Sequence, residues 1–216
     1  MKGIWWKALG ILLVLYSFIA GLLGEVPRLI ILNESIRVLY YHVPMWFAMI
    51  TMMLLSLIFS IRALGDKPGA DLRASEFAQT GFLLASLGLL TGMVWANATW
   101  GSFWTNDPKL NGTAVTMLIY LAYFVLRNSV EDPAKKARLA GVYNIFAFVM
   151  MIVFIGILPR MTDSLHPGNG GNPGFNQYDL NSDMRPIFYA AVIGWILIGT
   201  WISHLRIRFK SLNHEA

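Results

Sequence analysis

Phe82–Val94 reads FLLASLGLLTGMV, and Trp95–Asp107, which follows directly, reads WANATWGSFWTND. The first stretch is apolar, uncharged and unbroken, without the alternation of a half-buried strand. A run of this kind predicts a helix crossing a bilayer. The second gathers Trp95, Trp100, Phe103, Trp104 and Asp107 at the end of that run. It poses a question about function, because indoles there suit either a membrane interface or a flat ligand.

The rest of the chain repeats the first pattern. Of 216 residues, 56% are hydrophobic and 13% charged, against roughly 25% charged in soluble domains. Six apolar segments are expected to span: about 8–24, 43–63, 77–98, 112–127, 139–158 and 187–205. Continuous runs satisfy their own backbone as helices, which argues against a barrel. The expected fold is an all-α integral membrane protein, a bundle of six transmembrane helices forming one domain over 1–216. No internal repeat is visible. The N-terminus, with Lys2 and Lys7 before a long apolar stretch and no A-x-A site, is expected to be a retained first helix and not a signal peptide.

Charge orients the bundle. Lys2, Lys7, Arg62, Lys67, Arg73, Arg127, Lys135, Lys136, Arg138, Arg206, Arg208 and Lys210 fall on one side, 12 of the 17 cations. Arg28, Arg37, Lys109, Arg160 and Arg185 fall on the other. The positive-inside rule then predicts both termini in the cytoplasm. The net charge of +5 reflects this placement, and no nucleic-acid partner is expected. The absence of cysteine excludes disulfides, thiolate metal sites and thiol exchange.

Three loops face outward: about 25–42, ending in YYHVP; the tryptophan loop at about 95–112; and about 159–186, containing DSLHPGNGGNPGF. His42 and His166 lie in the first and third. His204 and His214 lie at the cytoplasmic end and read as solvated or headgroup-facing imidazoles without an aromatic shelf. Each outward histidine alone suits an interfacial or loop role. Together they could hold an iron from opposite faces of a haem.

Trp5, Trp6, Trp46, Trp195 and Trp201 read as interfacial belt. Trp100 and Trp104, four apart, would share one face of a helical turn beside Phe103, forming an aromatic shelf for lipid or for a porphyrin. Asp107 has two readings: a carboxylate orienting a ligand histidine, or the cap of a turn beginning at Pro108.

WGSFWTNDPKL resembles the tryptophan-rich WWD signature of the CcmC family of cytochrome c maturation, roughly W-G-x-x-W-x-W-D-x-R-L. Trp100, Gly101, Trp104, Asp107 and Leu110 match, and histidines flank the signature on both sides. Asn106 stands where the pattern has a third tryptophan, and Lys109 where it has arginine. The resemblance implies a haem-binding protein of the bacterial inner membrane with its site on the periplasmic side. It implies haem b (iron protoporphyrin IX) with His42 and His166 as axial bis-histidine ligands. Trp95, Trp100, Trp104 and Asp107 then form the loop against the porphyrin. It also implies delivery to a membrane-anchored CcmE-like haem chaperone, alongside a CcmD-like small membrane protein and a CcmA/CcmB-like ABC transporter. Arg28, Arg37, Lys109, Arg160 and Arg185 are unranked candidates for the propionates.

No enzyme is expected, because no Walker loop, G-x-S-x-G or HExxH is present, although a lyase-like role in haem attachment to the chaperone stays open. Two alternatives differ in class. A cytochrome b-like electron-transfer subunit would want histidines within the spans. A small-solute transporter would want ionisable or broken helices near mid-membrane.

Overall fold

The computed structural model describes residues 3–27, 32–166 and 180–215. Among the described residues there is no strand. The elements are α1 (Trp5–Leu23), a 3₁₀ segment (Asn33–Tyr40), α2 (Val43–Leu64), α3 (Ala70–Trp100), α4 (Pro108–Ser129), α5 (Pro133–Met151), a π-helical segment (Ile152–Ile157), α6 (Leu158–Met161) and α7 (Met184–Glu215). α5 runs without interruption through the π segment into α6. Among the described residues there are six helical stretches long and apolar enough to cross a membrane.

Each of the six expected segments has its helix, and most helices outrun the apolar window. α3 starts at Ala70 because a charged first turn, with Asp71 and Arg73, tolerates water. α4 starts at Pro108, four residues before the expected Gly112. Asp107 is its N-cap, and the side chain accepts from Lys109 N and Leu110 N, with Pro108 preset for the first helical position. Asp132 caps α5 in the same way, accepting from Lys135 N at 2.6 Å.

α2 is the central post. It packs on α3, α5 and α7, while α1 lies outside against α7. The core between them is rich in methionine: Met49, Met52, Met53 and Met151 are fully buried, their unbranched chains filling irregular gaps between helices. One buried polar link ties three helices. Asn144 Nδ2 of α5 donates to Ser56 Oγ and Ser60 Oγ of α2, both at 2.7 Å, and Ser56 Oγ donates to Ala74 O of α3.

Ion pairs gather at the end of the bundle that carries the termini. Arg127 grips Asp71 through two hydrogen bonds, and buried Glu76 meets Arg206 Nε at 2.8 Å and Lys210 Nζ at 2.5 Å. The opposite end is where α2 begins, α3 ends and the π segment leads into α6.

Candidate functional site

At that opposite end the segments before α2, after α3 and after α6 bring together His42 and His166, the two histidines expected to face outward. His42 is the residue before α2, with Pro44 in the first turn. Its Nδ1 lies 3.1 Å from Thr91 Oγ1. Thr91 Oγ1 itself donates to backbone carbonyls of α3, so Nδ1 carries the proton and donates. His42 Nε2 accepts from the Trp46 indole N–H at 3.2 Å, one helical turn on. The ring rests against Gly92: a Cβ there would stand 2.7 Å from His42 Cε1.

His166 is held differently. Asp107, 1% exposed, accepts from five donors. Oδ1 takes Lys109 N, Leu110 N and the His166 Nδ1–H at 3.0 Å. Oδ2 takes Ser164 Oγ and Leu165 N, both at 2.8 Å. Asp107 therefore plays both roles considered for it, helix cap and imidazole orienter. Burial would raise its carboxyl, but the hydrogen bond and charge of His166, with Ser164 and Leu165, outweigh that and hold it well below the usual carboxylate range. Burial pushes the His166 imidazole down, against the upward pull of the Asp107 carboxylate. The result at neutral pH is a carboxylate and a neutral imidazole whose Nε2 keeps its lone pair.

Both histidines line one cavity of about 270 Å³, together with Trp46, Trp95, Lys109 and Arg160. Apart from Ser35 and Thr113 its other walls are apolar, drawn mainly from the 3₁₀ segment, α2, α3, α4 and the π segment. The π geometry has a local cause. Pro159 offers no N–H, and Leu158 N reaches back five residues to Val153 O. Gly112 lets α4 close onto this segment, since any Cβ there would collide with the Phe154 carbonyl oxygen.

The tryptophan loop does not form the expected shelf. α3 ends at Trp100, and Gly101 turns left-handed at φ 76°, a conformation glycine adopts without the strain a Cβ brings. Trp100 and Trp104 therefore share no helical face. Trp95 and Trp100 instead flank His166, with ring centroids 6.0 and 5.0 Å from the imidazole and 5.3 Å from each other. The Trp95 indole N–H is buried without an acceptor among the described residues. Trp104 and Phe103 turn outward, 41% and 52% exposed. Asn106, in the place of a third tryptophan, accepts from Asn111 Nδ2 at 2.7 Å and pins the loop to α4.

Other expectations divide. Trp46, read as belt, is a wall of the cavity; its i, i+4 spacing from His42 was the available signal. Thr91, Gly92 and Ser164 carry no sequence signal of their own. Arg37 is a clamp, with Nε on Glu34 at 2.7 Å and Nη1 on Gly21 O and Gly24 O. Arg185 does not line the cavity. Arg28 and most of the glycine-rich stretch, 167–175, lie outside the described residues, as does the side chain of His214. His204 has aromatic neighbours after all, Trp6 at 5.9 Å and Phe77 at 6.3 Å.

Comparison with known sequences gives the family. The profile of CcmC, described as Heme exporter protein C, matches residues 2–216. The chain is 30% identical over 114 residues to a Heme exporter protein C of Bradyrhizobium diazoefficiens, covering 52% of this chain and 43% of that protein. It is 28% identical over 137 residues to one of Paracoccus denitrificans, covering 63% and 57%. A cytochrome c biogenesis protein CcsA of Prochlorococcus marinus is 39% identical over 77 residues, 36% of this chain and 24% of that protein. The chain spans about half the length of the Heme exporter relatives it matches. With a profile match over nearly its entire length and the two flanking histidines converging on one cavity, the chain belongs to the CcmC family.

Proposed function

We propose that this protein binds haem b at the outer face of the bacterial inner membrane and passes it to a membrane-anchored, CcmE-like chaperone during c-type cytochrome biogenesis. The observation that carries this reading is the single cavity lined by both His42 and His166. Haem is the cargo, and these two imidazoles are its axial ligands. Each offers Nε2 while Nδ1–H is committed elsewhere, to Thr91 for His42 and to Asp107 for His166. A fixed tautomer of this kind is how protein ligands are usually oriented toward a metal. At His42 the lone pair is engaged by the Trp46 indole, which must give way on binding.

The pocket suits a porphyrin in other respects. Its walls are apolar, Trp95 presents an unused indole N–H beside it, and Gly92 leaves room against the His42 ring. Lys109 and Arg160 line it and are the propionate partners favoured here, since cations pair strongly with carboxylates. Arg37 does not line it and is held as a clamp on carbonyls at the end of α1. The exposed rings of Phe103 and Trp104 provide the contact for the chaperone. The site lies at the end away from the cation-rich termini, which the positive-inside rule makes the periplasmic side. A CcmD-like protein and a CcmA/CcmB-like transporter are the further partners of this reading. The protein acts as a carrier and performs no hydrolysis or phosphoryl transfer.

Absorption spectra of purified protein test the assignment. Wild type should show the oxidised and reduced bands of bound haem, and His42→Ala and His166→Ala should each lose them. If both variants kept the wild-type spectrum and haem yield, the ligand assignment would be wrong.

A further inference from the structure

The opposite end of the bundle holds a second concave site that the haem reading does not use. It is a wedge between α1 and α7, lined by Gly3, Trp6, Lys7, Leu197, Thr200 and His204. It lies about 22 Å along α1 from Gly21, which packs beneath Tyr40 and Tyr41 next to His42. We propose that this wedge binds the phosphate of an anionic phospholipid headgroup.

Charge is the first argument. The Lys7 ammonium sits 5.7 Å from the Trp6 ring centroid and 5.4 Å from that of Trp201. Both indoles hold it in place. No carboxylate pairs with it among the described residues. The acids Glu76 and Asp71 of α3 are committed elsewhere, Glu76 to Arg206 and Lys210, and Asp71 to Arg127. Arg73 is close enough to act electrostatically on His204 together with Lys7, so the region carries surplus positive charge.

Donor geometry is the second. The imidazole nitrogens of His204 and the indole N–H of Trp6 have no hydrogen-bond partner among the described residues. α1 begins at the wedge with no side-chain cap, so its first N–H groups and the positive end of its dipole also face an anion. An ammonium, an imidazole, an indole N–H and an uncapped helix start together suit a phosphate oxygen cluster.

Depth decides the source of that phosphate. α1 and α7 are both apolar enough to cross a membrane, and their tryptophans mark the headgroup level. Leu9 and Leu12, one and two turns deeper on α1, are exposed and offer a path for an acyl chain. Basic pockets between membrane helices at this level are where anionic headgroups dock.

Native mass spectrometry of the full chain tests this, after equilibration in detergent with equal amounts of phosphatidylglycerol and phosphatidylcholine. Wild type should retain one phosphatidylglycerol in preference to phosphatidylcholine. Lys7→Gln should lower that preference roughly fivefold, and Lys7→Arg should keep it. Thr200→Phe fills the wedge without changing charge and should also abolish retention. Equal retention of both lipids, or an unchanged preference in both Lys7→Gln and Thr200→Phe, overturns the proposal. Displacement of the lipid by millimolar inorganic phosphate overturns the lipid assignment in favour of a free anion. The haem spectrum of Lys7→Gln should match wild type, which separates this site from the one at His42 and His166.

Discussion

Asp107 is the residue on which the site turns. One carboxylate starts α4, closes the 164–165 backbone onto it and orients His166. Asp107→Asn keeps the shape but replaces one acceptor oxygen with a donor that faces N–H groups. The haem affinity of the variant should fall roughly 10- to 100-fold, measured by titrating haem into apo-protein, with the spectrum of the residual complex unchanged. Gly92 matters for the opposite reason, by what it lacks. Gly92→Ala puts a methyl 2.7 Å from His42 Cε1, and the imidazole must tilt. Overpacking costs about 1–3 kcal/mol, so haem content per protein should drop while the fold is retained, checked by thermal melting in detergent. Asp107 was legible both as a cap and as a possible imidazole orienter, whereas a glycine among apolar residues, as Gly92 is, reads as helix packing.

At the scale of elements, the π segment and α4 shape the cavity jointly. Pro159 withholds one N–H, the backbone widens over Ile152–Ile157, and Gly112 lets α4 approach the Phe154 carbonyl. Gly112→Ala should force these apart and lower the thermal midpoint in detergent, with a cost at or above the usual overpacking range of about 1–3 kcal/mol. An unchanged midpoint would mean the approach is looser than described. The Trp100–Trp104 pair shows the limit of periodicity. Four-residue spacing implies a shared face only while the helix continues, and Gly101 ends it. That glycine is in the sequence, yet a glycine at a helix end and one inside a helix read alike until the chain direction after it is known.

At the scale of the whole molecule, the bundle separates two chemistries by its length. Paired and surplus cations gather at the termini end, and the cavity with its two histidines lies at the other. The absence of native cysteine makes orientation directly measurable. In intact spheroplasts, a membrane-impermeant maleimide should label Trp104→Cys and leave Leu212→Cys unlabelled, both positions being exposed. The reverse pattern would invert the topology and place the proposed haem site on the cytoplasmic side.

The number of membrane-crossing helices among the described residues, their class and the end of the bundle at which the histidines fall were determined by sequence alone, because hydrophobic length and the order of the segments are local properties. So was the resemblance of WGSFWTNDPKL to its family. Only the tertiary structure decided that the two histidines, 124 positions apart, share one cavity, that Trp46 lines it, and that Trp95 and Trp100 flank His166 while Trp104 turns away. Among the described residues it also decided which cations line the cavity: Lys109 and Arg160 do, and Arg37, held on backbone carbonyls, does not. The physical reason is the same in each case. A side chain's partner across the bundle depends on how helices rotate and where they break, and those are set by contacts between distant segments.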